Sequence, residues 1–77
     1  MNISITYCTS WGYLNHALSL RNSIINKFGF DVELIKGTGG IFEITLNNSL
    51  IFSKDDLGRF PEDGEIEDLI EGYESVT

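Results

Sequence analysis

Few side chains in this sequence can take part in covalent chemistry. Cys8 is the one thiol and His16 the one imidazole among 77 residues. A single cysteine closes no disulfide within its own chain, and one cysteine with one histidine is too poor a set for a structural zinc site. What remains for Cys8 is nucleophilic chemistry, which requires the thiolate and so an environment that lowers the thiol pKa below its free value of about 8.5. His16 lies eight residues further on, across a loop and into a helix, too far for a general base acting on Cys8. It is expected to be a solvated helix residue.

The elements around Cys8 decide whether that environment exists. Ile3, Ile5 and Tyr7 alternate with Ser4 and Thr6, the period of a half-buried strand ending at Cys8. Thr9, Ser10 and Gly12 then break the alternation. Leu14, Ala17, Leu18, Arg21, Ile24, Ile25 and Phe28 recur at helical spacing, with Thr9 or Ser10 as candidate N-cap and Gly29 as the residue past the end. A second short strand runs from Asp31 to Lys36, so the first three elements form a βαβ unit with parallel strands. Its functional groups gather at the carboxyl end of the first strand, where Cys8 stands and where a helix dipole favours a thiolate. Its neighbours Thr9 and Ser10 imply no apolar cover, so Cys8 is expected to be solvent-reachable, with a small buried residue closing the strand as the alternative.

Gly37, Gly39 and Gly40 mark the following loop. Phe42, Ile44 and Leu46, then Leu50 and Phe52, alternate as two strands joined at Asn47-Asn48, a pair that tolerates positive φ and so predicts a tight antiparallel hairpin. Asp55 to Gly64 reads as loop, and Ile66, Leu69, Ile70 and Tyr73 make the stripe of a last helix. The order βαβββα predicts a single α/β (α+β) domain over residues 1–77, two helices on a four-stranded mixed sheet, the minimal thioredoxin-like arrangement.

Composition excludes several classes of function. The net charge of −7, with five basic residues scattered along the chain, argues against nucleic acid and anionic membranes as partners. No apolar run approaches the length of about 20 residues that a span needs. Met1-Asn2-Ile3-Ser4 carries no basic n-region, so the expected location is cytoplasmic. Most of the acid lies between Asp55 and Glu74, opposed only by Arg59, and reads as a solvated face with docking to a basic partner as the alternative. Packing alone must hold the fold, with roughly 3–5 kcal/mol to spare in a chain this short.

Tyr7-Cys8-Thr9-Ser10-Trp11-Gly12-Tyr13 resembles the YCxxUGY or YCxxCGY opening of the selenoprotein W/T/H (Rdx) family, in which U is selenocysteine. Gly39-Gly40-Ile41-Phe42-Glu43-Ile44 is similar to its G-x-F-E-V strand. Leu50-Ile51-Phe52-Ser53-Lys54 is similar to L-I-x-S-K, and Gly58-Arg59-Phe60-Pro61 to a bacterial G-R-F-P turn. The resemblance covers nearly the whole chain. It implies a thioredoxin-like fold and a thiol or selenol redox protein, possible as a thiol-dependent oxidoreductase, acting on disulfides, peroxides or glutathione adducts. Cys8 would be the attacking thiolate and position 11 the partner chalcogen. Thr9, Ser10, Gly12, Gly39 and Gly40 would form the binding loop. No metal or organic cofactor is implied; glutathione enters as substrate or adduct, and a thiol or disulfide protein as partner.

The chain departs from the family at position 11, where Trp11 has neither sulfur nor selenium for two-electron chemistry with Cys8. One account is a UGA selenocysteine codon read as tryptophan. The other is a genuine tryptophan in a one-thiol protein that binds a partner or a thiol such as glutathione, the bulky ring covering the site or stacking on a ligand. A non-enzymatic alternative uses the Cys8 loop and the acidic C-terminal helix as a protein-docking surface. No cis-proline candidate precedes the Phe42 strand, where typical thioredoxins have one. Gly39 and Gly40 there either let a thiol-peptide approach exposed main chain or, with Gly37, satisfy a loop that needs positive φ.

Overall fold

The computed structural model describes residues 2–10 and 12–75. The alternating segments form β1 (Ile3–Cys8), β3 (Phe42–Leu46) and β4 (Ser49–Ser53), and the helical stripe after the Cys8 loop forms α1 (Tyr13–Phe28). The second strand, β2, runs Val32–Gly37, so Gly37 ends a strand and does not begin the loop. Two further helices complete the chain: a single turn, α2 (Lys54–Leu57), and α3 (Glu65–Ser75).

The sheet order is β2-β1-β3-β4. β1 runs parallel to β2, with Ile3 opposite Val32 and Cys8 opposite Gly37, and antiparallel to β3, with Tyr7 opposite Phe42. β3 and β4 form the hairpin, both of its turn asparagines at positive φ (51° and 69°), as the Asn-Asn pair predicts. A register shift between Ile44 and Thr45 leaves Phe52 opposite Ile44 and Leu50 opposite Thr45.

Ala17 and Ile24 of α1 and Ile66 and Ile70 of α3 join Ile3, Ile5, Tyr7, Phe42, Ile44, Leu46 and Phe52 in one core cluster, so both long helices cover the same face. The opposite phase of β1 and β3 carries Ser4, Thr6, Glu43 and Thr45, all half-buried, with the hydroxyls of Ser4 and Thr45 hydrogen-bonded across the two strands. The buried phase of α1 runs Ala17–Ile24, flanked by the partly buried Tyr13, Leu20 and Phe28. Leu14, expected on that stripe, is 44% exposed, and so is Leu69 of α3 at 40%. A Lys27–Glu71 ion pair of 2.6 Å links the two helices at their solvent side.

The single-turn helix α2 departs from the loop expected over Asp55 to Gly64. Four residues are too few for helical periodicity to show. Two carboxylates in its only turn, Asp55 and Asp56, suit the positive end of a helix, and Gly58 closes it in the left-handed conformation. The expected side-chain cap on α1 is also absent: Gly12 occupies the N-cap at φ 89°, with no side-chain cap hydrogen bond. That φ is why glycine stands there. Gly29 does end α1 as expected, its N–H donating to the carbonyl of Ile25 at 2.8 Å.

Candidate functional site

Cys8 is held from both sides by backbone. Its N–H donates to the carbonyl of Ile41 at 2.7 Å, carrying the β1–β3 ladder one step beyond Tyr7 and Phe42, and the N–H of Thr9 donates to the carbonyl of Gly37 at 3.3 Å. Gly37 has no left-handed φ. It is required by proximity, because a Cβ there would lie 2.6 Å from Ile41 Cγ2 and 3.3 Å from Thr6 Cγ2. A loop's need for positive φ thus fails to explain Gly37 and does explain Gly39 (φ 72°), around which a Cβ would meet nothing within 4 Å.

The thiol is covered, contrary to the open cysteine that the Thr9 and Ser10 neighbours suggest: Cys8 is 3% exposed. It is nevertheless not a core side chain in the ordinary sense. It shares the alternation phase of Ser4 and Thr6, and among the described residues the main core cluster does not include it. Its partners are polar. Sγ lies 3.1 Å from Ser10 Oγ and accepts the Ser10 N–H at 3.4 Å.

These contacts pull the Cys8 thiol below the ordinary thiol range. The Ser10 hydroxyl contributes most, followed by the Ser10 amide and the Gly40 amide; burial opposes them, and the Ile41 amide adds a smaller lowering. The physical cause is hydrogen bonding to the charged form, which here outweighs desolvation. The lowering comes from the loop and from the 40–41 segment, whereas the expected source was the first turn of α1. That turn begins five residues beyond Cys8, and Ser10, expected as a cap of α1, turns its hydroxyl to the sulfur instead.

Of the expected binding-loop residues, Ser10 contacts Sγ directly, the Gly40 amide helps lower the thiol, and Thr9 ties the loop to β2. Gly12 and Gly39 shape turns. Trp11 lies outside the described residues. Ile41 and Gly37 were missed, and only the unusual density of glycine from 37 to 40 signals them in the sequence.

A second cluster adjoins this corner. Phe60 stacks on His16 (ring centroids 3.8 Å, interplanar angle 6°) and meets Tyr13 and Phe42 edge-on, each at 5.2 Å. Lys54 Nζ stands 5.4 Å from the Phe60 ring centre and 5.7 Å from that of Tyr13. His16 is exposed, as expected, but packed on a ring and not simply solvated. Arg59 makes a two-pronged bond to Glu65, 2.6 and 2.9 Å, which also accepts the Glu62 N–H at 2.9 Å. This fork holds the Glu65 carboxyl down at about 2, with the Arg59 hydrogen bonds as the largest cause.

Residues 2–72 match the model of the Rdx family. The chain belongs to the Rdx family, the selenoprotein W-related proteins. Its resemblance to them in the four motifs is thereby confirmed. Migration and invasion enhancer 1 of Bos taurus is 35% identical over 78 residues, an alignment covering 100% of this chain and 65% of that protein. The Mus musculus protein of the same name is 31% identical over 71 residues, covering 91% and 62%. The chain thus spans a little under two thirds of these curated relatives. Among solved structures, a selenoprotein W-related protein from Vibrio cholerae superposes with a TM-score of 0.88 at 27% identity, covering 94% of each chain. A protein from Bordetella parapertussis superposes equally well, with a TM-score of 0.88, 29% identity and 94% and 95% coverage. The α/β fold of this Rdx chain, a four-stranded mixed sheet with helices, is the thioredoxin-like fold of those structures. No helix among its described residues is long and apolar enough to cross a membrane.

Proposed function

We propose that this Rdx-family chain is a thiol redox protein whose Cys8 thiolate attacks the sulfur of a disulfide, with glutathione disulfide or a protein disulfide as partner. The observation that supports this most is the pair of contacts from the Ser10 hydroxyl and amide to a sulfur that lies outside the main core cluster. A cysteine kept only for packing needs no donors around it. Because Cys8 is 3% exposed, attack requires the chain around it to open.

The reaction with glutathione disulfide is a thiolate exchange. Cys8 Sγ bonds to one sulfur, the disulfide breaks, and the other glutathione leaves as thiolate with the electron pair. Position 11 decides the next step. A cysteine or selenocysteine there could attack the Cys8 sulfur, expel the second glutathione and close an internal bond. Trp11 has no such atom, so this chain stops at the mixed disulfide until an external thiol displaces Cys8.

The test is mass spectrometry after exposure to glutathione disulfide. One glutathione adduct is expected, lost on adding excess thiol and never formed by Cys8→Ser. The Trp11→Cys variant is expected to oxidise in dilute solution to a monomer lighter by two hydrogens. Failure of Cys8 to take up glutathione, or steady turnover by the Trp11 chain with no external thiol, contradicts the reading. Sequencing codon 11 as UGA or UGG tells whether the native protein carries selenocysteine.

A further inference from the structure

We infer that Ser10 is the positioning residue of the Cys8 thiolate, fixing the sulfur through its hydroxyl and through its own backbone amide at once. The inference rests on the reading of Cys8 as the attacking group and adds the residue that prepares it. Ser10 is exposed and its side chain does not cap α1, the role its sequence position suggests. Its Oγ is committed to Sγ at 3.1 Å and its N–H to the same atom at 3.4 Å.

A hydroxyl suits this position because it both accepts and donates. Beside the neutral thiol, Ser10 Oγ accepts the S–H. Once the proton leaves, the hydroxyl rotates and donates to the thiolate without movement of either heavy atom. Gly40 and Ile41 act only through backbone, so Ser10 is the one contributor that a side-chain substitution can remove cleanly. Gly12 at φ 89° completes the device: it turns the chain into α1 two residues later, leaving the Ser10 hydroxyl free for the sulfur.

The experiment measures iodoacetamide alkylation of Cys8 against pH in the reduced full chain, comparing the parent with Ser10→Ala and Ser10→Thr. The midpoint reads acidity, and the high-pH plateau reads access. Ser10→Ala is expected to alkylate roughly tenfold more slowly at neutral pH with its midpoint displaced upward, as loss of a hydrogen bond to a charged group implies. Ser10→Thr, which keeps the hydroxyl, should restore the parent midpoint. Circular dichroism is expected to show all three equally folded. An unmoved midpoint in Ser10→Ala, or a change confined to the plateau, overturns the inference, since Ser10 would then only screen the thiol. A midpoint raised equally in Ser10→Thr also overturns it. If the midpoints behave as expected but Cys8 takes up no glutathione, the proposed redox function fails while the role of Ser10 stands.

Discussion

Two neighbouring corners of this molecule are built by opposite means. At the Cys8 corner, a sulfur and short backbone segments meet through hydrogen bonds, and glycines at 37 and 40 keep side-chain bulk away. At the Phe60 corner, stacked and edge-on rings, two nearby cations and the Arg59–Glu65 fork fill the space with large side chains. Tyr13 joins them. Its ring packs against Phe60, and its hydroxyl lies 3.3 Å from where a Gly40 Cβ would be. Packing against rings gives stability and tolerates little motion, whereas a hydrogen-bonded loop over glycine can open. A covered thiol with the proposed role is better placed in the hydrogen-bonded corner.

Phe60→Ala should separate the corners most strongly. Removing a half-buried ring from three aromatic neighbours is expected to cost about 2 kcal/mol, less than the roughly 3–5 kcal/mol of a fully buried phenylalanine, measurable as a lower urea midpoint. The pH midpoint of Cys8 alkylation should stay where it is. A thiol that shifts together with the stability would show that Tyr13 couples the corners and would end the distinction.

Gly37→Ala is the complementary change. The new Cβ would crowd Ile41 Cγ2 at 2.6 Å, and a branched side chain beside backbone yields poorly, so a loss of about 1 kcal/mol is expected. The larger consequence should appear at the sulfur: displacing residue 41 disturbs the adjacent amides and raises the alkylation midpoint. An unchanged thiol in this variant would mean that the 40–41 amides matter little beside Ser10.

The smallest effect belongs to the fork. The Glu65 carboxyl lies near 2 in the folded chain against an ordinary value of 4.5. Its folded pKa is depressed, so its contribution is fully present above 4.5 and fades as the pH falls toward 2. Glu65→Gln should therefore be modestly less stable than the parent at neutral pH, with the difference closing through that window. Arg59 is substantially exposed, which keeps the effect small. A difference independent of pH would point to packing and not to the Glu65 charge, since the Gln side-chain oxygen can keep the Glu62 N–H contact.

The sequence by itself determined the elements whose cause is local. Alternation set β1, β3 and β4; Asn47-Asn48 set the hairpin turn because both residues adopt positive φ; Gly29 set the end of α1; and Cys8 had to fall at the end of the first strand. The four family motifs carried the thioredoxin-like fold as well, which periodicity alone shares with other α+β arrangements. Helix α2 stayed illegible because one turn has no period. Tertiary structure alone decided the strand order β2-β1-β3-β4, the placing of α1 and α3 on one face, and the stacking of His16 on the distant Phe60 ring. It also decided that Cys8 is covered, that Ser10 serves the sulfur and not the helix, and that the segment at 40–41 packs beside the thiol and helps lower it. Residue spacing reports which side chains share a face of one element. It carries no record of which atoms from distant segments meet once β1 is seated between β2 and β3, and the chemistry of Cys8 is set by those meetings.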